Sequence, residues 1–527
     1  MQGEFRADVS RVSFSVTKRF SRVFMQQGRV QLDADWNEQS DILLRYLRSL
    51  AVDLIGPHGG NVAEAGFKLI GTDTEVDALT DDNGTILPEA VRNSLKQLLR
   101  DSGFLIAPGR YYVDGLPCIS ENYIGFTRQV GYPLSDSMIF DEIKNTPGPY
   151  MVFLDVWERH ICTIEDSDLA ELALGGADTA SRGQIVTSVI IAPPLLSDQT
   201  RIYDPVPLGN DITALQTAIT GGIANDIKNA RDKLNTTADQ ARRQLPRVSR
   251  AKMRARARMS GMPDGDCNIP PEAQFRGPEN QLYRIEIHRG GSAWNGDTDH
   301  DKPSGNAANA ATFKWSRDNS SLSFPILSLH GDLAKLTTLG RDLSRSLNVD
   351  DWVEVVADDI SLSGRPGPLR QIKRINADEL TVTLNAPVTE EYNEGSTLHP
   401  YLRRWDQRQS DGELADNALL LKEAGGEDNI NWINLEDGVQ IQFPTATTPA
   451  NTYRSGDYWL VPARVASGDV IWPKVVVNNK SVAAPLSANG IEHYYAPLAI
   501  VSVNNQNIKV ELDCRRTFPS LANLVPM

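Results

Sequence analysis

The sequence predicts a mainly β, multidomain protein with β-sandwich or small-barrel-like domains, an N-terminal helix and a long helical insertion. Short apolar segments recur between clusters of Gly, Pro, Asn and Asp, which is the pattern of strands joined by turns. Two other segments repeat their apolar residues every three or four positions, which indicates helices. A chain of 527 residues has room for about three or four domains.

The N-terminal helix is predicted to begin at Asp35, with Glu38 as its capping-box partner. Gly56-Pro57 should end it. Its apolar residues fall on one face, close to a 3.6-residue period: Trp36, Leu43, Leu47, Leu50 and Leu54. Such a face either packs in the core or docks on a neighbouring subunit, and we expect the core.

A segment that combines cations with aromatic rings precedes this helix. It contains Arg19, Phe20, Arg22 and Phe24. We expect these residues, together with Trp36, to bind a partner, so that the first 55 or so residues act as a tether. Deletion of residues 1–55 is then expected to leave a soluble protein that no longer joins its assembly.

Changes of pattern along the chain suggest five regions. The first of the β-rich regions contains a short predicted helix from Pro88 to Arg100 and an apolar strand from Tyr150 to Trp157, with both faces covered. The regions are 1–58, tether and helix; 59–205, first β-rich domain with short helices; 206–262, basic helical arm; 263–400, second β domain; and 401–527, C-terminal β domain.

The helical insertion repeats its apolar residues from Ile212 to Leu245 at a mean spacing of about 3.7, as in a long amphipathic helix. Gly221-Gly222 is expected to kink or split this helix. A second helix after Pro246 is predicted to carry Arg250, Arg254 and Arg258. We expect the whole insertion to project from the β-domains as an arm or hairpin.

This insertion is basic in an acidic chain. Residues 211–260 hold eleven Lys/Arg and four Asp, a local charge of +7, whereas the whole chain has a net charge of −15. Residues 204–274 contain no Phe, Tyr or Trp, so stacking on nucleic-acid bases is not supported. The three arginines at 250, 254 and 258 are expected to contact an acidic protein neighbour. A solvated helix face and a phosphate-binding surface are the alternatives.

Catalytic and cofactor motifs are missing from the sequence. It has no G-x-S-x-G, P-loop, H-E-x-x-H or dinucleotide glycine fingerprint. The alternating Asp297, Asp299 and Asp301 are not followed by the glycine and glutamate of a calcium loop. Acidic pairs such as Asp358-Asp359 are typical of turns, and six strand-like tryptophans are typical of a core. We therefore expect no enzymatic activity, no cofactor and no metal.

The cellular compartment is predicted from three observations. The four cysteines are far apart and form no C-x-x-C pair, as in a reducing compartment. The N-terminal residues lack the apolar core of a signal peptide, and no run of about 18 apolar residues occurs. We expect assembly in the cytoplasm, without a transmembrane segment and without nucleic acid as a partner, and any release from the cell by lysis.

Several longer stretches resemble a known but uncharacterised family. They are KRFSRVFMQQGRVQLDADWNEQ, PGRYYVDGLPC, YMVFLDVWERHICTIEDSDLAELALGGADTASR, ENQLYRIEIH, ATFKWSRDNSS, LRRWDQ, YRSGDYWLVPAR and HYYAPLAIV. Together they resemble a domain family encoded in gene clusters of phage-tail-like contractile injection systems. The resemblance runs from about residue 18 to residue 518, so it covers nearly the whole chain.

This resemblance implies a structural, baseplate-associated subunit of a contractile particle: an extension, a cage or a fibre-attachment subunit. It also implies other baseplate subunits as partners and a homo-oligomer, sixfold in such particles. It assigns no catalytic residue. A receptor- or carbohydrate-binding tail-fibre protein is the alternative, and a cell-wall glycan hydrolase is the second alternative.

Overall fold

The computed structural model describes fourteen stretches of the chain: 5–81, 83–129, 149–192, 205–244, 251–258, 275–296, 309–340, 345–389, 392–393, 398–424, 431–446, 450–477, 479–504 and 507–520. Strands account for 38% and helices for 22% of the protein, which confirms the mainly β, multidomain prediction. The chain divides into two compact units. Unit 1 comprises Met1–Ile42, Arg159–Gln184 and Val248–Ile491, and unit 2 comprises Leu43–Glu158, Ile185–Arg247 and Glu492–Met527.

The helices are few. Within the described residues, the α-helices are α1 Asp33–Ile55, α2 Asp73–Asp77, α3 Glu89–Ser102, α4 Pro205–Gly221, α5 Ala224–Gln244 and α6 Asp358–Leu362. Short 3-10 turns lie at Val16–Lys18, Phe126–Arg128, Ser167–Leu169, Leu172–Leu174 and Gln409–Asp411. None of the described helices is long and apolar enough to cross a membrane.

The strands are mostly short. Those before residue 260 are β1 His58–Asn61, β2 Leu69–Ile70, β3 Leu105–Ile106, β4 Gly109–Val113, β5 Leu116–Ser120, β6 Ile124–Gly125, β7 Tyr150–Ile161, β8 Ala170–Glu171, β9 Ala177–Asp178, β10 Arg182–Ala192 and β11 Lys252–Ala257. Those from residue 281 to residue 405 are β12 Gln281–Arg289, β13 Thr312–Ser316, β14 Ser323–His330, β15 Leu333–Leu336, β16 Trp352–Val356, β17 Leu369–Asn376, β18 Thr381–Leu384, β19 Tyr392–Asn393 and β20 Tyr401–Trp405.

The remaining strands complete the chain. They are β21 Leu414–Ala415, β22 Ala418–Leu420, β23 Ile433–Asn434, β24 Val439–Gln442, β25 Tyr458–Arg464, β26 Asp469–Val470, β27 Lys474–Val477, β28 Lys480–Ala483, β29 Leu486–Ser487, β30 Tyr494–Asn504, β31 Asn507–Asp513 and β32 Thr517–Phe518.

Unit 2 is built around one apolar cluster. Three sheets contribute to it, in the strand orders β32-β1-β4-β5, β2-β3-β6 and β10-β7-β30-β31. The apolar strand β7 has both faces covered, as predicted. Val152 and Leu154 point into this cluster, and Met151 and Phe153 belong to a second cluster formed with α4 and α5.

The helical insertion differs from its prediction in two ways. It splits at Gly222, whose φ is +70°, as the glycine pair predicted. However, α4 and α5 do not project, since Leu215, Leu234 and Ala238 are buried against the sheet. The second predicted helix is wrong, because Lys252–Ala257 forms strand β11.

Unit 1 contains a β-sandwich. A four-stranded sheet, β23-β24-β11-β29, and a six-stranded sheet, β21-β22-β13-β12-β25-β26, share one apolar cluster. Trp315 and Trp459 lie in this cluster, and neither is more than 1% exposed. The sandwich joins strands from both sides of the predicted boundary at residue 400, since β12 pairs with β25 and β13 pairs with β22.

A small barrel forms the other half of unit 1. The strand order β15-β18-β17-β16-β20-β14 closes on itself because β14 also pairs with β15. Its interior is apolar, with Phe324, Val353, Ile372 and Leu402 among the buried side chains. Short strands between turns predicted a small barrel or sandwich here, and the barrel confirms that prediction.

Candidate docking surface

Among the described residues, the contacts of helix α1 with the rest of the protein lie along one side of the helix. Ala34 and Ile42 are its buried residues. Further along the same side, Arg48 forms an ion pair of 2.8 Å with Glu158. The turn at Gly115 (φ +80°) passes so close that a Cβ there would lie 2.6 Å from the carbonyl oxygen of Arg48. These contacts fix which side of the helix faces outward.

The outward side of α1 carries the large apolar residues that the sequence placed in the core. That prediction is wrong. Trp36 is 68% exposed, Leu43 55%, Leu47 62%, Leu50 56% and Leu54 77%. Single exposed leucines are ordinary, but a contiguous row of them on a folded protein marks an interaction surface.

The spacing of this row is that of a coiled coil. The intervals from Trp36 to Leu43, Leu47, Leu50 and Leu54 are seven, four, three and four residues. In heptad positions, Trp36, Leu43 and Leu50 occupy d, whereas Leu47 and Leu54 occupy a. A narrow a/d row is the seam that packs against another helix. We refer to these five residues as the α1 seam.

The start of α1 also differs from the prediction. The helix begins at Asp33, two residues before the predicted Asp35. The Asp33 carboxylate accepts hydrogen bonds from the backbone N–H and the hydroxyl of Ser10, at 2.8 and 2.7 Å. Glu38 accepts from Ser13 at 2.7 Å rather than closing a capping box. The N-terminal segment is thus bonded along the first turns of α1.

Between this segment and α1 lies an exposed stretch, Val16–Val30, which we refer to as the arm. Arg19, Phe20, Arg22 and Phe24 are all exposed here, as the tether prediction requires. The guanidinium of Arg22 lies 4.3 Å from the ring centroid of Phe24. One bond ties the arm to α1, from the backbone N–H of Val23 to Gln39 Oε1 at 2.8 Å.

Arg6, in the segment before the arm, belongs to the interior of unit 1. Arg6 is only 6% exposed, and its guanidinium bonds to both carboxylate oxygens of Glu286, with Nη1–Oε2 2.9 Å and Nη2–Oε1 3.1 Å. It also donates to Ser320 at 3.1 Å. The tether prediction treated residues 1–55 as detachable, and that part of it is wrong for the segment around Arg6.

Glu286 lies at the centre of a buried ionic cluster. Arg284 forms an ion pair with Glu286 at 2.7 Å. Lys314 lies between two carboxylates, 3.4 Å from Glu286 and 2.7 Å from Glu354. Burial alone would raise the pKa of Glu286, but Arg6, Arg284 and Lys314 hold it well below its ordinary value. The cluster therefore keeps its carboxylates charged and paired in the interior.

Three of the sequence stretches that carry the family resemblance supply residues to this ionic cluster. ENQLYRIEIH supplies Arg284 and Glu286, ATFKWSRDNSS supplies Lys314, and LRRWDQ supplies Trp405. The Trp405 indole N–H donates to Glu354 Oε2 at 3.0 Å, and Lys314 Nζ lies 4.4 Å from the centroid of its ring. These motifs hold the two halves of unit 1 together, since Lys314 comes from the sandwich and Glu354 from the barrel.

The arginines predicted to contact an acidic neighbour do not share the helix on which they were expected. Arg250 lies outside the described residues. Arg254 is on β11 and donates to Gln442 Oε1 at 3.3 Å, across the pair β11–β24. The backbone N–H of Arg258 donates to the carbonyl of Gly438 at 2.6 Å. Arg254 is thus a component of a sandwich sheet rather than of a helix face.

Carboxyl groups with raised pKa values occur in unit 1. Burial, with Asp406 and Asp437 adding to it and Arg317 opposing it, raises the pKa of Glu436 to about 7. Burial and the neighbouring Asp406 raise the pKa of Asp318 to about 6. Glu436 accepts from Arg317 at 2.9 Å and from the Tyr283 hydroxyl at 3.2 Å.

A groove of about 1120 Å³ opens on unit 1, beside the N-terminal segment. Its lining mixes cations such as Arg182 and Arg403 with carboxylates such as Asp8 and Glu165, so its charge favours no single class of ligand. Asp318 and Glu436 do not line it. Among the described residues, no group of three or more His, Cys, Asp or Glu could hold a metal. Asp297, Asp299 and Asp301 lie outside those residues.

The six strand tryptophans lie in the core, as predicted. The strand tryptophans are buried: Trp157, Trp315, Trp352, Trp405, Trp459 and Trp472 are all less than 9% exposed. Cys118, Cys162 and Cys514 are in no disulfide, and Cys267 lies outside the described residues.

The chain was compared with known proteins. The model of a family described as "Family of unknown function (DUF6519)" matches residues 3–201 and 207–525. No curated protein and no solved structure matches significantly. The match spans both units and includes α1, the arm and the ionic cluster.

Proposed function

This chain belongs to the DUF6519 family of unknown function, and from that premise we propose that it is a non-enzymatic structural subunit of a large protein assembly. The α1 seam carries this proposal. It is a row of exposed leucines on a helix whose other side is bonded to the protein. A helix that is apolar on its outward face needs a partner to cover that face.

The heptad spacing indicates that the surface which covers the seam is another helix. Knobs-into-holes packing needs a facing helix with its own apolar a and d residues. The flanking positions of α1 extend the apolar surface, since Leu44 is 48% and Tyr46 56% exposed. The five seam residues and these two span about three heptads, which is enough for a specific contact but short for an isolated coiled coil.

The assembly that we propose is a contractile injection particle, with this chain at its baseplate as an extension, cage or fibre-attachment subunit. The support is the resemblance of the eight quoted sequence stretches. Within unit 1, the ion pair of Lys314 with Glu286, at 3.4 Å, joins two of these stretches. A rigid β scaffold with an outward helical seam fits such a role better than either alternative.

Two observations rank the alternatives lower. A sugar-binding cleft would need exposed aromatic rings in a concave surface. The strand tryptophans are buried, and the exposed rings of Phe20, Phe24 and Trp36 do not line the groove. A glycan hydrolase needs two carboxyl groups that face each other across a cleft, and the two carboxyls with strongly raised pKa values, Asp318 and Glu436, do not line the groove.

Imaging of particles purified with and without this gene tests the proposal. We expect intact particles in the presence of the gene and a loss of density at the baseplate in its absence. Particles whose baseplate density is identical in the two preparations would overturn the assignment to that structure. Restoration of the density by the gene supplied in trans is the control.

A further inference from the structure

The arm is a cationic and apolar surface that the described residues leave exposed. Between Val9 and Leu32 the sequence has five cations and no acid. Four of the cations, Lys18, Arg19, Arg22 and Arg29, lie in the arm and are exposed. Phe20 is 53% and Phe24 69% exposed between them. A surface of this composition fits an acidic partner with apolar side chains of its own.

Unit 1 presents a surface of that kind at Asp166–Asp178, which we refer to as the finger. It consists of two 3-10 turns and the two short strands β8 and β9. From Ile161 to Ser181 the sequence has five acids and no Lys or Arg. Leu172 is 86% and Leu174 64% exposed. The finger is thus acidic and apolar to the same degree that the arm is basic and apolar.

Local hydrogen bonds give the finger a defined shape. The Asp166 carboxylate accepts from the backbone N–H of Asp168 at 3.1 Å, and Glu171 accepts from Ala173 at 2.9 Å. Asp166, Asp168 and Glu171 remain exposed in this arrangement. Their charge is available to a second molecule while the turns hold Leu172 and Leu174 outward.

We propose that the arm of one copy of this chain binds the finger of a second copy. The two surfaces match in charge, with four arm cations facing the finger carboxylates, and in apolar content, with Phe20 and Phe24 against Leu172 and Leu174. The chain as a whole has a net charge of −15, so two copies repel each other in general. They attract each other where a basic surface of one copy meets an acidic surface of the other.

This contact is head-to-tail. Because the arm and the finger are different surfaces, each copy uses one to bind the next copy and the other to bind the previous one. Such a heterologous contact builds a ring when its rotation closes, and a filament when it does not. The inference deepens the proposed function by naming the partner of the arm, and it leaves the α1 seam for a different helix.

Self-association of the purified full chain is the first test. In sedimentation velocity at about 0.05 M salt and between about 1 and 100 μM protein, we expect species larger than the monomer that grow with concentration. About 0.5 M salt should weaken the association at least about tenfold, because the Debye length falls below 10 Å. A chain that stays monomeric throughout at low salt would overturn the inference.

A charge swap tests the pairing itself. The arm variant Lys18→Glu/Arg19→Glu/Arg22→Glu should weaken self-association at least about tenfold, and so should the finger variant Asp168→Lys/Glu171→Lys. Equimolar mixing of the two variants should restore it, because the arm of each variant then meets a finger of opposite charge on the other. The variant with all five changes should also recover it to within about threefold. Failure of this combined variant to recover would rule out an arm–finger contact.

The matched control reverses three exposed cations elsewhere on unit 1, by Lys335→Glu/Lys373→Glu/Arg374→Glu. It changes the net charge as the arm variant does, so it should leave self-association within about twofold of the wild type. If self-association weakened equally in this control, the effect of the arm variant would be explained by net charge alone, and the inference would be contradicted. The result is independent of particle imaging, since the purified chain can self-associate whether or not a baseplate contains it.

Discussion

Arg6 and Glu286 form a bidentate ion pair in the interior of unit 1, 280 residues apart in the sequence. Arg6 belongs to a segment that the sequence had suggested as a detachable tether. Glu286 lies on β12, the strand that pairs with both β13 and β25 in the sandwich. The part of the N-terminal segment around Arg6 is therefore built into the folded structure, whereas the arm and the α1 seam that follow it are exposed.

Substitution of Arg6 should destabilise the protein. In Arg6→Ala, Glu286 keeps Arg284 and Lys314 but loses two charge-assisted bonds, and removal of one member of a buried pair costs about 3 kcal/mol. We expect the free energy of unfolding to fall by that amount in urea unfolding followed by tryptophan fluorescence. A loss below about 1 kcal/mol would contradict the role given to this pair.

The control for Arg6→Ala lies two residues away. Asp8 pairs with Arg345 at 3.1 Å, and both side chains are more than half exposed. Exposed ion pairs contribute little because water and salt screen them. Asp8→Ala should therefore leave the free energy of unfolding nearly unchanged, although it too removes an ion pair of the N-terminal segment.

The contribution of Glu436 to the stability of the protein should fall as the pH rises from 5 to 8. The pKa of Glu436 is raised from 4.5 to about 7, so the folded state binds its proton more tightly than the unfolded state. Stability from that proton is present below about pH 4.5 and is lost as the pH rises through 7. Asp318, raised from 3.8 to about 6, acts in the same direction.

Glu436→Gln isolates this effect because the amide cannot ionise. Between pH 5 and pH 8, the wild type should lose on the order of 2 kcal/mol more of its free energy of unfolding than the variant does. Glu413→Gln, at an exposed glutamate of the same unit, should behave as the wild type. The same pH dependence in Glu436→Gln and the wild type would show that Glu436 does not titrate in this range.

The docking of the helical insertion depends on Arg242. This residue is 6% exposed, and it bonds to Asp114 at 3.0 Å and to the carbonyl of Tyr495 at 3.3 Å. Arg242→Ala should lower the free energy of unfolding by about 2–3 kcal/mol, because Asp114 loses its cation in a partly buried setting. Arg231→Ala, at an exposed arginine of the same helix, should change it by less than about 0.5 kcal/mol. Equally small losses of unfolding free energy in both variants would contradict the docking of the helical insertion on unit 2.

Sequence patterns predicted the helices and strands better than they predicted what those helices and strands pack against. The run from Tyr150 to Trp157 and the break at Gly221-Gly222 both appear where they were predicted. Strand β11 was missed although Met253, Ala255 and Ala257 alternate with cations, a period-two pattern typical of a strand. Its high positive charge and the preceding helix favoured a second helix instead. In the structure, pairing with β24 covers the strand.

The candidate surfaces were only half predictable. The periodicity of α1 correctly predicted which residues share its apolar face, but it did not predict that this face is exposed. An apolar face has the same sequence pattern whether its partner is in the same chain or in another. The ionic cluster was missed, since Glu286 and Arg6 are far apart in sequence. The finger lay within a recognised stretch, and its run of acids without cations, next to Leu172 and Leu174, was the signal that could have found it.

The most direct test of the account measures how much of this chain purified particles contain when the α1 seam is altered. In Leu47→Asp/Leu50→Asp, both changes fall on exposed side chains, so the chain should fold and remain stable. We expect its amount in purified particles to fall at least about tenfold, a loss that corresponds to about 1.4 kcal/mol of docking free energy. Ile119→Asp, at an equally exposed residue of unit 2, should be incorporated normally. Full incorporation of the seam variant would contradict docking through α1.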